Sequence, residues 1–188
     1  MMNAYRGKNM FYYEIDQDLK LKPLEIHYAD ELYSLTNNNR AYLREWLPWV
    51  DATRSSEDTK VFIQTTLKQF AENKGFHAGI FYKGELAGCI GLHGIDWNNK
   101  KTTIGYWLGT DYQGSGIITL SCRAIIDHAI HNLKLNRVEI RAAEYNLKSR
   151  AIPERLGFVN EGKVRQEEWL YDHYVDHVIY GMLADDWK

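Results

Sequence analysis

The segment Tyr112-Gln113-Gly114-Ser115-Gly116-Ile117-Ile118-Thr119 constrains the fold more than any other, because of what flanks it. Before it stands Ile104-Gly105-Tyr106-Trp107-Leu108-Gly109, an apolar and aromatic run that reads as a buried strand. After it, Ile118, Cys122, Ile126, Ala129, Ile130 and Leu133 recur at the spacing of one helix face. The glycines are therefore expected at a strand-to-helix turn. The first N–H groups of a helix have no partner inside it, and its dipole is positive at that end. Glycines let a bound group approach the backbone with no Cβ in the way. A loop of this kind can cradle a phosphate, and it also reads as a plain tight turn. It lacks the Gly-Lys-Ser/Thr of a P-loop and the spacing of a dinucleotide fingerprint.

With 188 residues, 45% of them hydrophobic and 26% charged, the chain is large enough for one full core without disulfides or metal. One domain over 1–188 is expected, with about residues 1–10 as a flexible N-terminal extension. A net charge of −2 gives no broad basic field, so nucleic acid is not an expected partner. Cys89 and Cys122 lie in apolar segments and read as buried thiols of a reducing compartment. Met1 to Met10 lacks the apolar stretch of a secretory signal, and no segment has the roughly 20 apolar residues of a membrane helix. These features point to a cytoplasmic protein with no membrane partner. His173 and His177 share a strand face but have no third ligand beside them, so no metal site is expected.

Further along the chain, residues 11–22 read as a first strand ending before Pro23, and 25–36 as a helix broken by Asn37-Asn38-Asn39. Residues 41–46 form a short helix stopped by Pro48. Ser55-Ser56-Glu57-Asp58 opens the next helix with capping residues, and its apolar face reads as Val61, Phe62, Thr65, Leu67 and Phe70. Strands at 76–82 and 86–93 are joined by a hairpin signal at Lys83-Gly84-Glu85. A strand follows at 103–109, then the glycine loop and the long helix. Residues 137–142 alternate strictly, with Val138, Ile140 and Ala142 on one face. A short helix at 149–156 closes on Gly157, and strands at 158–165 and 174–183 finish the set. This order predicts an α/β (α+β) domain, a sheet covered by helices.

Two motifs carry a family resemblance. Gln113-Gly114-Ser115-Gly116 resembles the acyl-CoA pyrophosphate loop of the GCN5-related N-acetyltransferases (GNAT), Gln/Arg-x-x-Gly-x-Gly/Ala. Asn146-Leu147-Lys148-Ser149, followed by Leu156-Gly157-Phe158, resembles their Asn-x-x-Ser … Leu-Gly-Phe signature. Ile118 departs from the pattern, standing where the family often has Gly or Ala. Within the family, Trp46-Leu47-Pro48-Trp49, the loop form at 112–119 and the ending 165–180 are similar to the RimJ/RimL group of ribosomal-protein N-terminal acetyltransferases. The resemblance implies a GNAT fold, a central mixed, mostly antiparallel sheet flanked by helices, with acetyl-CoA as co-substrate and no metal.

The resemblance also implies roles. Gln113, Gly114, Ser115, Gly116, Ile117 and Ile118 would hold the pyrophosphate. Trp107 and Leu108 would lie along the arm, and Asn146 would bond the pantetheine. Ser149 would sit at the CoA sulfur and donate to the leaving thiolate, and Glu168 would be the general base through water. A backbone N–H at 106–109 would meet the oxyanion. Trp46 and Trp49 would line the acceptor, although tryptophans are more often core. Glu168 and its neighbour Glu167 also read as solvated strand charges, Asn146 and Ser149 as a turn and helix cap, and Lys148 and Arg150 as surface charges or phosphate contacts. Glu45 and Asp51 are weaker candidates for holding an acceptor amine. Cys122, on the apolar helix face, is a poor nucleophile.

The expected activity is direct acetyl transfer from acetyl-CoA to a primary amine, with a protein N-terminus, such as a ribosomal one, as the preferred acceptor. A small amine, antibiotic or polyamine acetyltransferase is the alternative among enzymes, and a non-catalytic acyl-CoA-binding module the alternative outside them. A homo-oligomer, dimer or larger, is expected as well.

Overall fold

The structure is a computed structural model and describes residues 12–188. The expected N-terminal extension lies outside the described residues. Eight strands form one sheet in the order β1-β2-β3-β4-β5-β6-β8-β7. They are β1 (Tyr13–Glu14), β2 (Leu19–Pro23), β3 (Phe76–Tyr82), β4 (Glu85–Asp96), β5 (Lys101–Leu108), β6 (Arg137–Ala143), β7 (Val159–Leu170) and β8 (His173–Leu183). The helices are α1 (Ala29–Asn38), α2 (Arg40–Arg44), α3 (Ser56–Ala71), α4 (Ile117–Asp127) and α5 (Leu147–Arg155). A π-helical stretch at His128–Asn132 prolongs α4.

All neighbouring strands pair antiparallel except β5 and β6, which pair parallel. A parallel pair needs a crossover, and here α4 supplies it. Lys83 and Gly84, both at positive φ (52° and 92°), close the β3–β4 hairpin.

Alternation along the strands feeds a core on each face. Ile80, Ile90, Leu92, Ile104, Val138 and Ile140 pack with Ile117, Cys122 and Ile126 of α4. On the other face Phe81, Leu86 and Cys89 pack with Ala29 and Leu32 of α1 and Ile63 of α3.

Three expectations need correction. The first strand is a hairpin of two, β1 and β2, because Asp16 Oδ1 accepts from the N–H groups of Asp18 and Leu19 at 2.8 Å and turns the chain. The apolar face read for α3 is wrong: Val61, Phe62, Leu67 and Phe70 are exposed, as is Thr65, whereas Thr59, Ile63 and Thr66 are buried. The Thr66 hydroxyl donates to Ile63 O at 2.9 Å, so a threonine can occupy the covered face without an orphaned donor. The third is β7, which continues to Leu170 rather than ending at Arg165.

Candidate active site

The site begins where the sheet comes apart. β6 registers with β5 only from Lys101 opposite Arg137 to Ile104 opposite Ile140. From Gly105 to Leu108, β5 keeps β4 on one side and has no strand on the other. Gly109 N–H is bonded to Ala87 O across β4. Strand alternation therefore turns the N–H groups of Tyr106 and Leu108 toward the open edge. This narrows the expected oxyanion donor at 106–109 to those two.

The glycine loop stands at the head of α4. Gly114 and Gly116 are left-handed, with φ of 81° and 75°, and Gly116 is the residue that caps the helix. The first intrahelical bond runs from Leu120 N–H to Gly116 O, so the N–H groups before Leu120 are free of the helix ladder. A Cβ built on Gly114 or Gly116 meets no protein atom within 4 Å, so both open onto free space. That space belongs to a cleft of about 880 Å³. The backbone donors, the positive end of the dipole and the room for an extended ligand all suit the diphosphate of acetyl-CoA. Lys148 Nζ, which donates to Gln113 Oε1 at 3.1 Å, puts a cation on the same rim.

The start of α5 also lines the cleft. Asn146 caps it, its Oδ1 accepting from Ser149 N–H at 3.1 Å. Asn146 alone is the cap, which leaves the Ser149 hydroxyl for other partners. That hydroxyl lies 3.4 Å from Tyr106 Oη, and Tyr106 in turn donates to Ser149 O at 3.0 Å. Burial pushes the Tyr106 phenol well up, so it stays protonated. Sequence reasoning missed Tyr106 as a site residue. Its alternation with Trp107 was visible, but its contact with a residue 43 positions away was not.

Trp107, Leu108, Gln113, Gly114, Gly116, Ile117, Ile118, Asn146 and Ser149 all line the cleft, as does Trp46. Ser115 lines a neighbouring recess of about 510 Å³ instead. Trp49 and Glu168 are outside the lining. Trp49 is exposed and stacks at 6.0 Å from Trp107, which joins the 46–49 segment to the cleft wall. Asp51 is paired with Arg44 at 3.0 Å. The Arg44 guanidinium covers the Tyr171 ring, and the Tyr171 hydroxyl donates to Leu47 O at 2.6 Å. The β7–β8 turn is thereby pinned to the 43–51 segment.

Glu168 sits on β7 beyond a break in register. Val164 lies opposite His177 and Glu168 opposite Val175, so four steps on β7 match two on β8. Gln166, at φ 51°, makes the bulge, and its N–H donates to Asp176 Oδ1 at 2.8 Å. Glu167 Oε1 accepts from Arg141 at 3.1 Å, whereas Glu168 Oε2 lies 3.5 Å from His177 Nε2. The two neighbouring carboxylates thus have different partners. Arg150, read as a phosphate contact or a surface charge, instead bonds Tyr180 Oη and Glu144 O and fastens α5 to the sheet.

Both thiols are buried. Burial pushes the Cys89 thiol up to about 12, against a weaker opposing pull from Ile90 N–H, and pushes Cys122 higher still. Neither is a nucleophile at neutral pH. Among the described residues no group of three or more His, Cys, Asp or Glu side chains could hold a metal ion. No helix among them is long and apolar enough to cross a membrane.

The family model described as the acetyltransferase (GNAT) domain matches residues 18–159. YdaF of Bacillus subtilis (strain 168) is 39% identical, over 95% of this chain and 98% of its own. The ribosomal-protein-serine acetyltransferase of Escherichia coli (strain K12) is 31% identical, over 92% of this chain and 96% of its own. Among solved structures, RimL, a ribosomal L7/L12 alpha-N-protein acetyltransferase in complex with coenzyme A, superposes with a TM-score of 0.90 at 28% identity, covering 93% of this chain and 99% of that one.

Proposed function

The chain belongs to the GNAT acetyltransferase family and is an acetyl-CoA-dependent N-acetyltransferase, and from that premise we propose that its acceptor is the α-amino group at a protein N-terminus. The observation that carries this reading is the nearly end-to-end similarity to a ribosomal-protein-serine acetyltransferase. The opened sheet supports it: the 46–49 segment and the β7–β8 turn, joined by the Tyr171–Leu47 hydrogen bond, stand beside the bare edge of β5.

In this reading the Gly114–Ile118 backbone binds the diphosphate, with Gln113 closing the loop, and Asn146 bonds the pantetheine arm. The co-substrate supplies an acetyl thioester, an acyl group activated toward amines. An α-ammonium has a pKa near 8 and must lose a proton before it attacks. Glu168 takes that proton through water. The amine lone pair then forms the N–C bond, and charge gathers on the carbonyl oxygen beside the N–H groups of Tyr106 and Leu108. The C–S bond breaks as the oxyanion collapses, Ser149 donates a hydrogen bond to the departing thiolate, and the surplus proton on the new amide nitrogen passes to solvent, from which the thiolate is protonated. Tyr106, which already holds the Ser149 hydroxyl and carbonyl, keeps that donor in place.

The test is release of CoA from acetyl-CoA with peptides beginning in serine or alanine, beside spermidine and an aminoglycoside. The reading expects turnover on the peptides, falling by roughly 10²-fold or more in Glu168→Gln. Turnover on spermidine or the aminoglycoside alone would replace the acceptor. CoA binding with no turnover would contradict the proposed acceptor and leave an acyl-CoA-binding module as the better description.

A further inference from the structure

One side chain in contact with Glu168 has no place in the account so far. His177, on β8, is largely buried, its side chain 15% exposed, and its Nε2 lies 3.5 Å from Glu168 Oε2. The Glu168 side chain is 32% exposed and still reaches solvent. Backbone geometry produces this approach. The two extra residues at the Gln166 bulge keep Glu168 on the face of the ribbon that carries His177 and Val175. The bulge is fixed on both strands, since Gln166 N–H is bonded to Asp176 Oδ1. Without the bulge, the Val164–His177 register would carry Glu168 opposite His173 instead of Val175, farther from His177 along the ribbon.

Several other charged groups near the pair are engaged with one another. On β6 and β7, Arg141 bridges Glu139 and Glu167. On the opposite face of the ribbon, Lys163 bridges Glu144 and Asp176. At the hairpin turn His173 pairs with Asp172, and in the 43–51 segment Arg44 pairs with Asp51. His177 is thus the cationic or hydrogen-bonding partner that Glu168 has in the structure.

We propose that His177 is a positioning residue for Glu168: its imidazole, 3.5 Å from the carboxylate, holds it toward the acceptor side. The proposal rests on the reading of Glu168 as general base. A carboxylate held in one orientation loses less entropy on reaching the reactive arrangement, and small misplacements of a base are costly.

The experiment compares wild type, His177→Val, His177→Gln and Glu168→Gln. CoA release is followed from pH 5.5 to 9 with a serine-initiated peptide or spermidine, whichever the wild type turns over faster. Thermal stabilisation by CoA reports that each variant is folded with an intact donor site. His177→Val is expected to lower kcat by roughly tenfold or more, with KM for acetyl-CoA unchanged. His177→Gln keeps an N–H donor within reach of Glu168, so it is expected to recover most of kcat at pH 8. A His177→Val enzyme with wild-type kcat, alongside an inactive Glu168→Gln, would overturn this proposal and leave Glu168 as the base. A fully active Glu168→Gln would overturn the base assignment, and a wild type inactive on both acceptors would overturn the acceptor reading; either result removes the ground this proposal stands on.

Discussion

Glu167 and Glu168 are adjacent in sequence and differ in what they touch. Glu167 is held by Arg141, which also holds Glu139, and Glu168 lies 3.5 Å from His177. Glu167→Gln is therefore expected to keep kcat within about threefold of wild type, against the roughly 10²-fold loss in Glu168→Gln. Steady-state rates of the two variants side by side check this. A second residue-scale consequence concerns stability. Burial, with a smaller push from His93, lowers the His77 imidazole to about 3. An unfolded histidine titrates near 6.5. Between those values the unfolded chain binds the extra proton, so this contribution to stability is complete above about pH 6.5 and declines as pH falls toward 3. By pH 5 the loss is about 2 kcal/mol. His77→Phe, beside Phe62 and His93, should flatten that part of the fall, which thermal melts at pH 7.5 and pH 5 would read. In the sequence only the family resemblance separates Glu168 from Glu167, because what distinguishes them is a partner on another strand.

Among the elements, those whose signal is local were legible. The glycine loop, the long helix after it, the strict alternation of β6 and the Ser55 capping box with Asp58 all stand where local chemistry puts them. The failures are elements whose shape depends on a neighbour. The bulge in β7 is set by pairing with β8. The covered face of α3 is set by the sheet beneath it, which accepts Thr59 and Thr66 and leaves Phe62 and Phe70 outside. The loop offers the sharpest test at this scale. Gly116 at φ 75° begins α4, and a β-branched residue there is strained by about 1–2 kcal/mol. Gly116→Val is expected to weaken CoA binding by roughly tenfold or more, with kcat at saturating acetyl-CoA less affected. Calorimetric titration with CoA measures it. Unchanged affinity would mean that the diphosphate does not sit on this turn.

At the scale of the whole molecule, the sheet works as a partition with a gap. β5 and β6 pair over four residues and then separate. The cleft on the α4–α5 side carries the glycine loop, Asn146 and Ser149. In the proposed reading, the face carrying His177 and Glu168 is the acceptor side. The reactive carbonyl would lie in the gap, reached by the donor from one side and the amine from the other, so no covalent acyl-enzyme is needed and both thiols can stay buried. The sequence order of strand, glycine loop, helix and strand announces the crossover that makes the gap. Only the family resemblance points to 106–109 as the place where the strands part; by its own pattern Gly105-Tyr106-Trp107-Leu108 reads as an ordinary buried strand throughout.

The account's central claim is that the amine entering this gap is a protein α-amino group. The most direct measurement gives the enzyme acetyl-CoA and a serine-initiated peptide that also contains an internal lysine, then locates the acetyl group by fragmentation mass spectrometry. The account predicts acetylation at the N-terminal nitrogen with the lysine unmodified, and loss of product when that nitrogen is blocked. Acetyl on the lysine side chain, or on spermidine in competition with an untouched peptide, would contradict it.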